Sequence, residues 1–206
     1  MKIALSVFAL LILSAFAVVF SQAPTNPASQ ATAPSVTSHG SAIAQHTLSP
    51  RQLELVNQPA LPAGTQIDKL IVYKSKREMH AFYQDKLIKI YPISLGKSPI
   101  GHKQFEGDMK TPEGVYSIND RNPNSAYHKN LGISYPNAQD VAFAKSHGKS
   151  AGGAIKIHGI KNGLGDIIGA NHLLKDWTHG CIAVTDREMD ELFVAVVDNA
   201  PIHILP

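Results

Sequence analysis

The chain has a single cysteine, Cys181, among 206 residues. One thiol cannot form an intramolecular disulfide, and it cannot make a CxxC redox motif or a multi-cysteine zinc site. Whatever this chain folds into must be held by an apolar core and by its own hydrogen bonds. The composition permits that: 44% of residues are hydrophobic and 17% charged, which excludes a wholly disordered chain. The formal charge of +3 comes with no Lys/Arg run, which argues against a nucleic-acid partner.

The N-terminal third is organised differently from the rest. Lys2 precedes an apolar run from Ile3 to Phe20, followed by the small residues Ser21 and Ala23. A basic start, an apolar stretch and small residues at its end read as a secretory signal over residues 1–23. The length of the run leaves an uncleaved membrane anchor open as the alternative. No cysteine follows it, so no lipid-modified cysteine is expected, and the bulk of the chain is expected outside the cytoplasm. Residues 24–66 are first rich in Ala, Ser, Thr, Pro and Gln and show no apolar period, which reads as a flexible tether. Within it, Arg51–Gly64 holds scattered apolar residues that can lie on a domain surface. The folded domain is expected over residues 67–206.

Within that domain, short apolar segments alternate with turn chemistry. Strands are expected at 67–74, 79–84, 87–94, 115–118, 131–135, 154–158 and 202–205, and Arg121–Ser125, with its Asn-Pro-Asn core, reads as a turn. One helix is clear. Thr185 and Glu188 have capping-box spacing, and Met189, Leu192, Phe193, Val196 and Val197 then fall on one face. The fold class expected is mainly β (α+β), a β-sandwich with one packed C-terminal helix.

An exported free thiol is unusual. A buried cysteine acting as a small hydrophobe is the plain explanation. Cys181 however follows Thr178-His179-Gly180 and precedes a helix start. A glycine there lets backbone N–H groups approach a reacting carbonyl and stabilise its oxyanion. A thiol nucleophile needs a base. Of ten histidines, His158 is the best placed, ending the strand Ala154–His158 on the face opposite Ile155 and Ile157, with Gly159 next. His172 and His179 are the other candidates, and with His158 and Cys181 they also leave a zinc site open, although no HxxxH or HExxH spacing is present. No GxSxG supports a serine nucleophile.

His158-Gly159 followed by Thr178-His179-Gly180-Cys181 resembles the signature of the L,D-transpeptidase catalytic domain. Thr111-Pro112-Glu113-Gly114-Val115-Tyr116 resembles a second motif of that family, and Arg121–His128, Ser134–Asn137, Asp176–Thr178 and Ile182–Thr185 resemble a subgroup of it. The resemblance runs from residue 67 to 206. It implies an L,D-transpeptidase-like β-sandwich and an enzyme of the bacterial cell envelope acting on peptidoglycan stem peptides. Cys181 would attack the carbonyl of the third stem residue, often diaminopimelate, and release D-Ala. The acyl-enzyme thioester would pass to an amine: a second stem, a lipoprotein lysine or a free D-amino acid. Water as acceptor would give a hydrolase instead, and a non-catalytic wall-binding module is a third reading. The resemblance further implies His158 as general base and acid, the Gly159 carbonyl as the group orienting it, and the Gly180 and Cys181 N–H groups as oxyanion hole. It implies no metal and no organic cofactor.

Two departures from the family pattern stand out. Ala183 occupies a position commonly Arg or Asn, so Arg121, Tyr127 or Asn171 becomes a candidate to replace that side chain, alongside Thr178 and His179 as substrate contacts and Lys156 as a carboxylate partner. The 22 residues between His158 and Cys181 exceed the usual spacing, and the loop with Gly163, Gly165 and Gly169 is expected to form a lid.

Overall fold

The computed structural model describes residues 47–206. The expected signal and the tether up to residue 46 lie outside the described residues. In chain order the elements are α1 (Pro50–Val56), β1 (Lys69–Tyr73), β2 (Glu78–Tyr83), β3 (Lys86–Pro92), β4 (Gly114–Ser125), β5 (His128–Ile133), α2 (Ala138–Ser146), β6 (Lys156–His158), α3 (Gly165–Ile168), a 3-10 turn (Gly169–Leu174), β7 (Ile182–Ala183), α4 (Asp186–Ala195) and β8 (Pro201–Leu205).

The eight strands form one sheet in the order β3-β2-β1-β8-β4-β5-β6-β7. Strand β4 bends the sheet. Its first residues pair with β8, Gly114 opposite Ile204, and its later ones pair with β5, Arg121 opposite Leu131. The sheet then curls until its two edges meet: just beyond β3, Ser94 exchanges backbone hydrogen bonds of 3.0 and 2.9 Å with Ala183 of β7. A twisted sheet that closes on itself leaves few unpaired edges. The inward-facing Leu70, Val72, Met79, Tyr91, Leu131, Ile157, Ile182 and Ile202 make one core, and Met189 and Leu192 of α4 pack into it. The expected mainly β architecture and the packed C-terminal helix are present. Thr185 caps α4, with its side chain and that of Glu188 closing the capping box.

Three local expectations need correction. Arg121–Ser125 is not a turn but the distal part of β4, paired with β5; the Pro123-Asn124 pair sits in an irregularity of the register between Asn122 and Ser125, where a proline without an N–H is tolerated. Helix α2 was hidden because its Val141 and Phe143 are exposed, so no apolar stripe marks it; its cap is an Asn137–Asp140 box rather than the Ser/Thr–Glu pair. Within the 24–66 tether, Pro50–Val56 is helical. Ser49 and Gln52 close a capping box, Leu55 is buried, and Gln52 donates to the Leu173 carbonyl at 3.1 Å. Further along, the Leu61 N–H donates to Glu191 at 2.7 Å. The segment from Pro50 to Ile67 is therefore part of the domain.

Candidate active site

Strand β6 carries His158 at its end and β7 follows Cys181, and the two strands are parallel neighbours, with His158 opposite Ala183. Pairing β6 with β7 is what brings residues 158 and 181 together across the 22-residue gap in sequence. Both line one cavity of about 200 Å³ with Tyr127, Trp177, Thr178 and His179.

The turn before Cys181 is fixed by its own side chains. The Thr178 hydroxyl donates to the Cys181 carbonyl at 2.7 Å and accepts the Gly180 N–H at 3.1 Å. Gly180 has φ +129°, and a Cβ there would lie 2.6 Å from the Lys110 carbonyl oxygen, so only glycine fits. Gly159 is likewise confined, since a Cβ would meet Asp186 Oδ1 at 2.5 Å. Thr178, expected at the substrate, is buried and its hydroxyl is committed to this turn. The Gly180 N–H, expected in the oxyanion hole, already has Thr178 Oγ1 as acceptor. The N–H of Cys181 has no acceptor among the described residues.

His158 is buried, 7% exposed. Its Nδ1 lies 2.7 Å from the Gly159 carbonyl oxygen. A carbonyl only accepts, so Nδ1 carries the hydrogen and Nε2 is left with a lone pair. Burial pushes the His158 pKa below 6.5, partly offset by that hydrogen bond. The ring sits against Tyr127, centroids 4.9 Å apart, and edge-on to Trp177 at 5.6 Å. In the sequence Trp177 belongs only to the Asp176–Thr178 motif; its place against the imidazole depends on a contact that spacing cannot show.

The Cys181 thiol donates to the Ala154 carbonyl at 3.6 Å. Burial raises its pKa above 9, opposed by the Lys156 N–H and by the charges of Lys156 and Lys103. With the histidine lowered and the thiol raised, the resting pair is neutral at pH 7: a thiol beside an imidazole base. Cys181 also borders a second cavity, of about 320 Å³, walled by the loop carrying Lys103, Glu106 and Met109.

The remaining candidates separate. His179 is exposed and lines both cavities, with Lys97 Nζ 3.5 Å from its Nε2. Lys156 is tied to Asp120 at 2.7 Å. Arg121 is not at the site: its guanidinium binds the Phe193 and Val196 carbonyls and Asp198 at the C-terminal end of α4, where a cation complements the helix dipole. The stretch expected as a lid holds α3 and the 3-10 turn. With Tyr127 and Trp177, its Leu164, Ile168, Asn171 and Leu174 line a largely apolar cavity of about 590 Å³ beside the histidine. In it His172 is buried, with Nδ1 3.1 Å from Ser94 Oγ, and burial lowers its pKa to about 4. Among the described residues no three His, Cys, Asp or Glu side chains converge as a metal-binding group, and no helix is long and apolar enough to cross a membrane.

Residues 68–204 match a family model described as the L,D-transpeptidase catalytic domain. Among curated proteins, the "Putative L,D-transpeptidase YafK" of Escherichia coli (strain K12) is 32% identical over 128 residues, covering 59% of this chain and 44% of that protein. Among solved structures, the helical cell shape determining protein Pgp2 from Campylobacter jejuni aligns with a TM-score of 0.50 at 24% identity, covering 74% of this chain and 53% of that one. Bdellovibrio bacteriovorus Bd1075 aligns with a TM-score of 0.48 at 25% identity, over 72% of this chain and 51% of that one. The chain thus spans about half the length, or less, of these relatives.

Proposed function

The chain belongs to the L,D-transpeptidase catalytic domain family, which acts on peptidoglycan, and from that premise we propose that it is a cysteine acyltransferase of stem peptides. The observation that carries this reading is one cavity lined by Cys181 and His158, with the histidine tautomer held by the Gly159 carbonyl at 2.7 Å.

In this reading His158 Nε2 takes the thiol proton as Cys181 Sγ attacks the carbonyl joining the third stem residue to D-Ala. The oxyanion is stabilised by the Cys181 N–H. Collapse breaks the C–N bond, His158 passes its proton to the departing D-Ala amine, and a thioester remains. An acceptor amine then loses a proton to His158, attacks the thioester, and the proton returns to the sulfur as it leaves. No redox partner and no metal is needed for this balance. Tyr127 and Trp177 hold the imidazole and shield it from water, and His179 stands at the rim between the two cavities as a substrate contact. The substrates place the domain in the cell envelope, delivered by residues 1–23 and joined to them by a tether ending before Pro50.

Incubation of the protein with a disaccharide tetrapeptide, read by mass spectrometry, tests the reading. Transfer gives a cross-linked dimer that has lost one D-Ala. Tripeptide and free D-Ala without dimer would make water the acceptor and the protein a hydrolase of the same chemistry. Unchanged tetrapeptide, with and without added amine acceptors, would contradict the proposal.

A further inference from the structure

Strand β6 ends at His158, and the peptide unit after Gly159 lies outside the ladder. Among the described residues no backbone group pairs with it. Its two polar ends are instead taken by one side chain each. The Gly159 carbonyl accepts from His158 Nδ1 at 2.7 Å, and the Ile160 N–H donates to Asp186 Oδ1 at 2.7 Å. That carbonyl and that N–H belong to the same planar unit, so whatever holds the N–H also sets where the carbonyl points. Asp186 is itself well anchored. It opens α4, directly after the Thr185 cap, and α4 is seated in the core by Met189 and Leu192. The carboxylate lies close against two glycines: a Cβ on Gly159 would meet Oδ1 at 2.5 Å, and a Cβ on Gly165 would overlap Oδ2. An acidic residue in the first turn complements the dipole of α4, but that role needs no glycine at 159 or 165. Among the described residues no carboxylate bonds to the His158 ring directly; Asp186 reaches it through one peptide.

We propose that Asp186 is a positioning residue for the base: by holding the Ile160 N–H it aims the Gly159 carbonyl that keeps hydrogen on Nδ1 of His158 and the lone pair on Nε2. The inference rests on the acyl-transfer reading, in which Nε2 takes the thiol proton, and adds a residue to it. A charged acceptor at the N–H end of the peptide also polarises the unit and strengthens its carbonyl as an acceptor. Without the Asp186 oxygen the peptide is free to turn, the carbonyl leaves Nδ1, and the imidazole populates the tautomer with hydrogen on Nε2, which cannot accept the thiol proton.

Three variants and one spectrum test this. Asp186→Ala is expected to lower kcat on a tetrapeptide donor by about a hundredfold, the scale of a misplaced catalytic group, with KM little changed. Asp186→Asn keeps an oxygen in place and should stay within about fivefold of wild type, the difference between a charged and a neutral acceptor. Gly165→Ala pushes the carboxylate away with every charge and the α4 cap intact. It should slow the wild type by about tenfold or more and should not slow Asp186→Ala further, because the atoms nearest the added Cβ are those of Asp186. This variant keeps the test open if Asp186→Ala does not fold. Nitrogen-15 NMR reads the tautomer of neutral His158 without substrate: hydrogen on Nδ1 in wild type and Asp186→Asn, and a population with hydrogen on Nε2 in Asp186→Ala and Gly165→Ala. An unchanged tautomer in both of these, whatever their rates, would make Asp186 only an anchor of α4 and overturn the proposal. Asp186→Asn as slow as Asp186→Ala, or a Gly165→Ala effect that adds in full to that of Asp186→Ala, would overturn it as well. The expected tautomer shift in a protein whose wild type never releases D-Ala would defeat the acyl-transfer reading and leave the assignment of Asp186 standing.

Discussion

The two stretches that meet at His158 are built differently. Strand β6 and the turn at 178–181 are held from every side: β6 pairs with β5 and β7, Thr178 ties the turn to itself, and the backbone of Gly180 packs against Lys110. The stretch from Ile160 to Lys175 has no strand partner. It is anchored at points: the Ile160 N–H on Asp186 at 2.7 Å, His172 on Ser94, and the Leu173 carbonyl on Gln52. In the proposed chemistry the first stretch places the reacting atoms, where a shift of about 1 Å costs about a hundredfold in rate. The second shapes an apolar wall that tolerates small movement. The proposed chemistry sits where the ladder leaves the backbone no freedom, and the adjustable cavity is built from helical turns.

This contrast is broken most forcefully at His158. His158→Ala is expected to lower kcat/KM by about a thousandfold, the range of a lost general base, while the folded domain persists by circular dichroism. A loss of less than tenfold would leave the base role unfilled. Next comes Gly180→Ala. The side chain cannot be accommodated against Lys110 without moving the turn, so urea unfolding should show a loss of about 2–4 kcal/mol together with a fall in turnover of about a hundredfold. Wild-type stability would mean that the turn yields and is not the rigid part.

The acid side separates the two buried histidines by what is measured. His158 must be unprotonated to accept the thiol proton, and its pKa is lowered. The acid limb of kcat/KM is therefore expected to have its midpoint below 6.5, with a plateau above. Iodoacetamide should alkylate the free enzyme rapidly only above pH 9, where the raised thiol ionises. His172 instead reports on stability. Its folded pKa of about 4 lies below the ordinary 6.5, so the unfolded chain binds the proton first as pH falls. The stabilisation is fully present above 6.5 and is lost towards pH 4, by up to about 3 kcal/mol. Denaturant midpoints at pH 7 and pH 4.5 check this, and an unchanged midpoint would mean that His172 is not held neutral.

The smallest effect sharpens the contrast from outside the site. Arg121→Ala removes a cation from the end of α4 and should cost about 1–2 kcal/mol in thermal unfolding, with kcat/KM within twofold of wild type. A selective rise in KM would return Arg121 to the substrate.

The same division explains what could be read in advance. Alternating strands and the Thr185 cap are local patterns, and they matched the ladder and α4. His158 and Cys181 were legible because each sits beside a glycine at the end of a strand or turn. Arg121 was misplaced because an arginine's use is decided by what packs opposite, here three groups about 75 residues away at the end of α4. Lys103 and Glu106 left no signal, since their loop reaches Cys181 only through the curl of the sheet. Helix α2 hid because it exposes its apolar side chains, and α1 because a proline-rich flank resembled a linker.

The central claim is that the Cys181 sulfur forms an acyl-enzyme with His158 as its base. Intact-protein mass spectrometry after incubation with a carbapenem tests it most directly, because a ring-opened β-lactam remains on an acylated thiol. The account predicts a mass gain of one carbapenem on wild type, located to the peptide containing Cys181, a much slower gain in His158→Ala and none in Cys181→Ala. An adduct that persists in Cys181→Ala, or a wild-type protein that releases D-Ala from tetrapeptide with its thiol blocked, would contradict it.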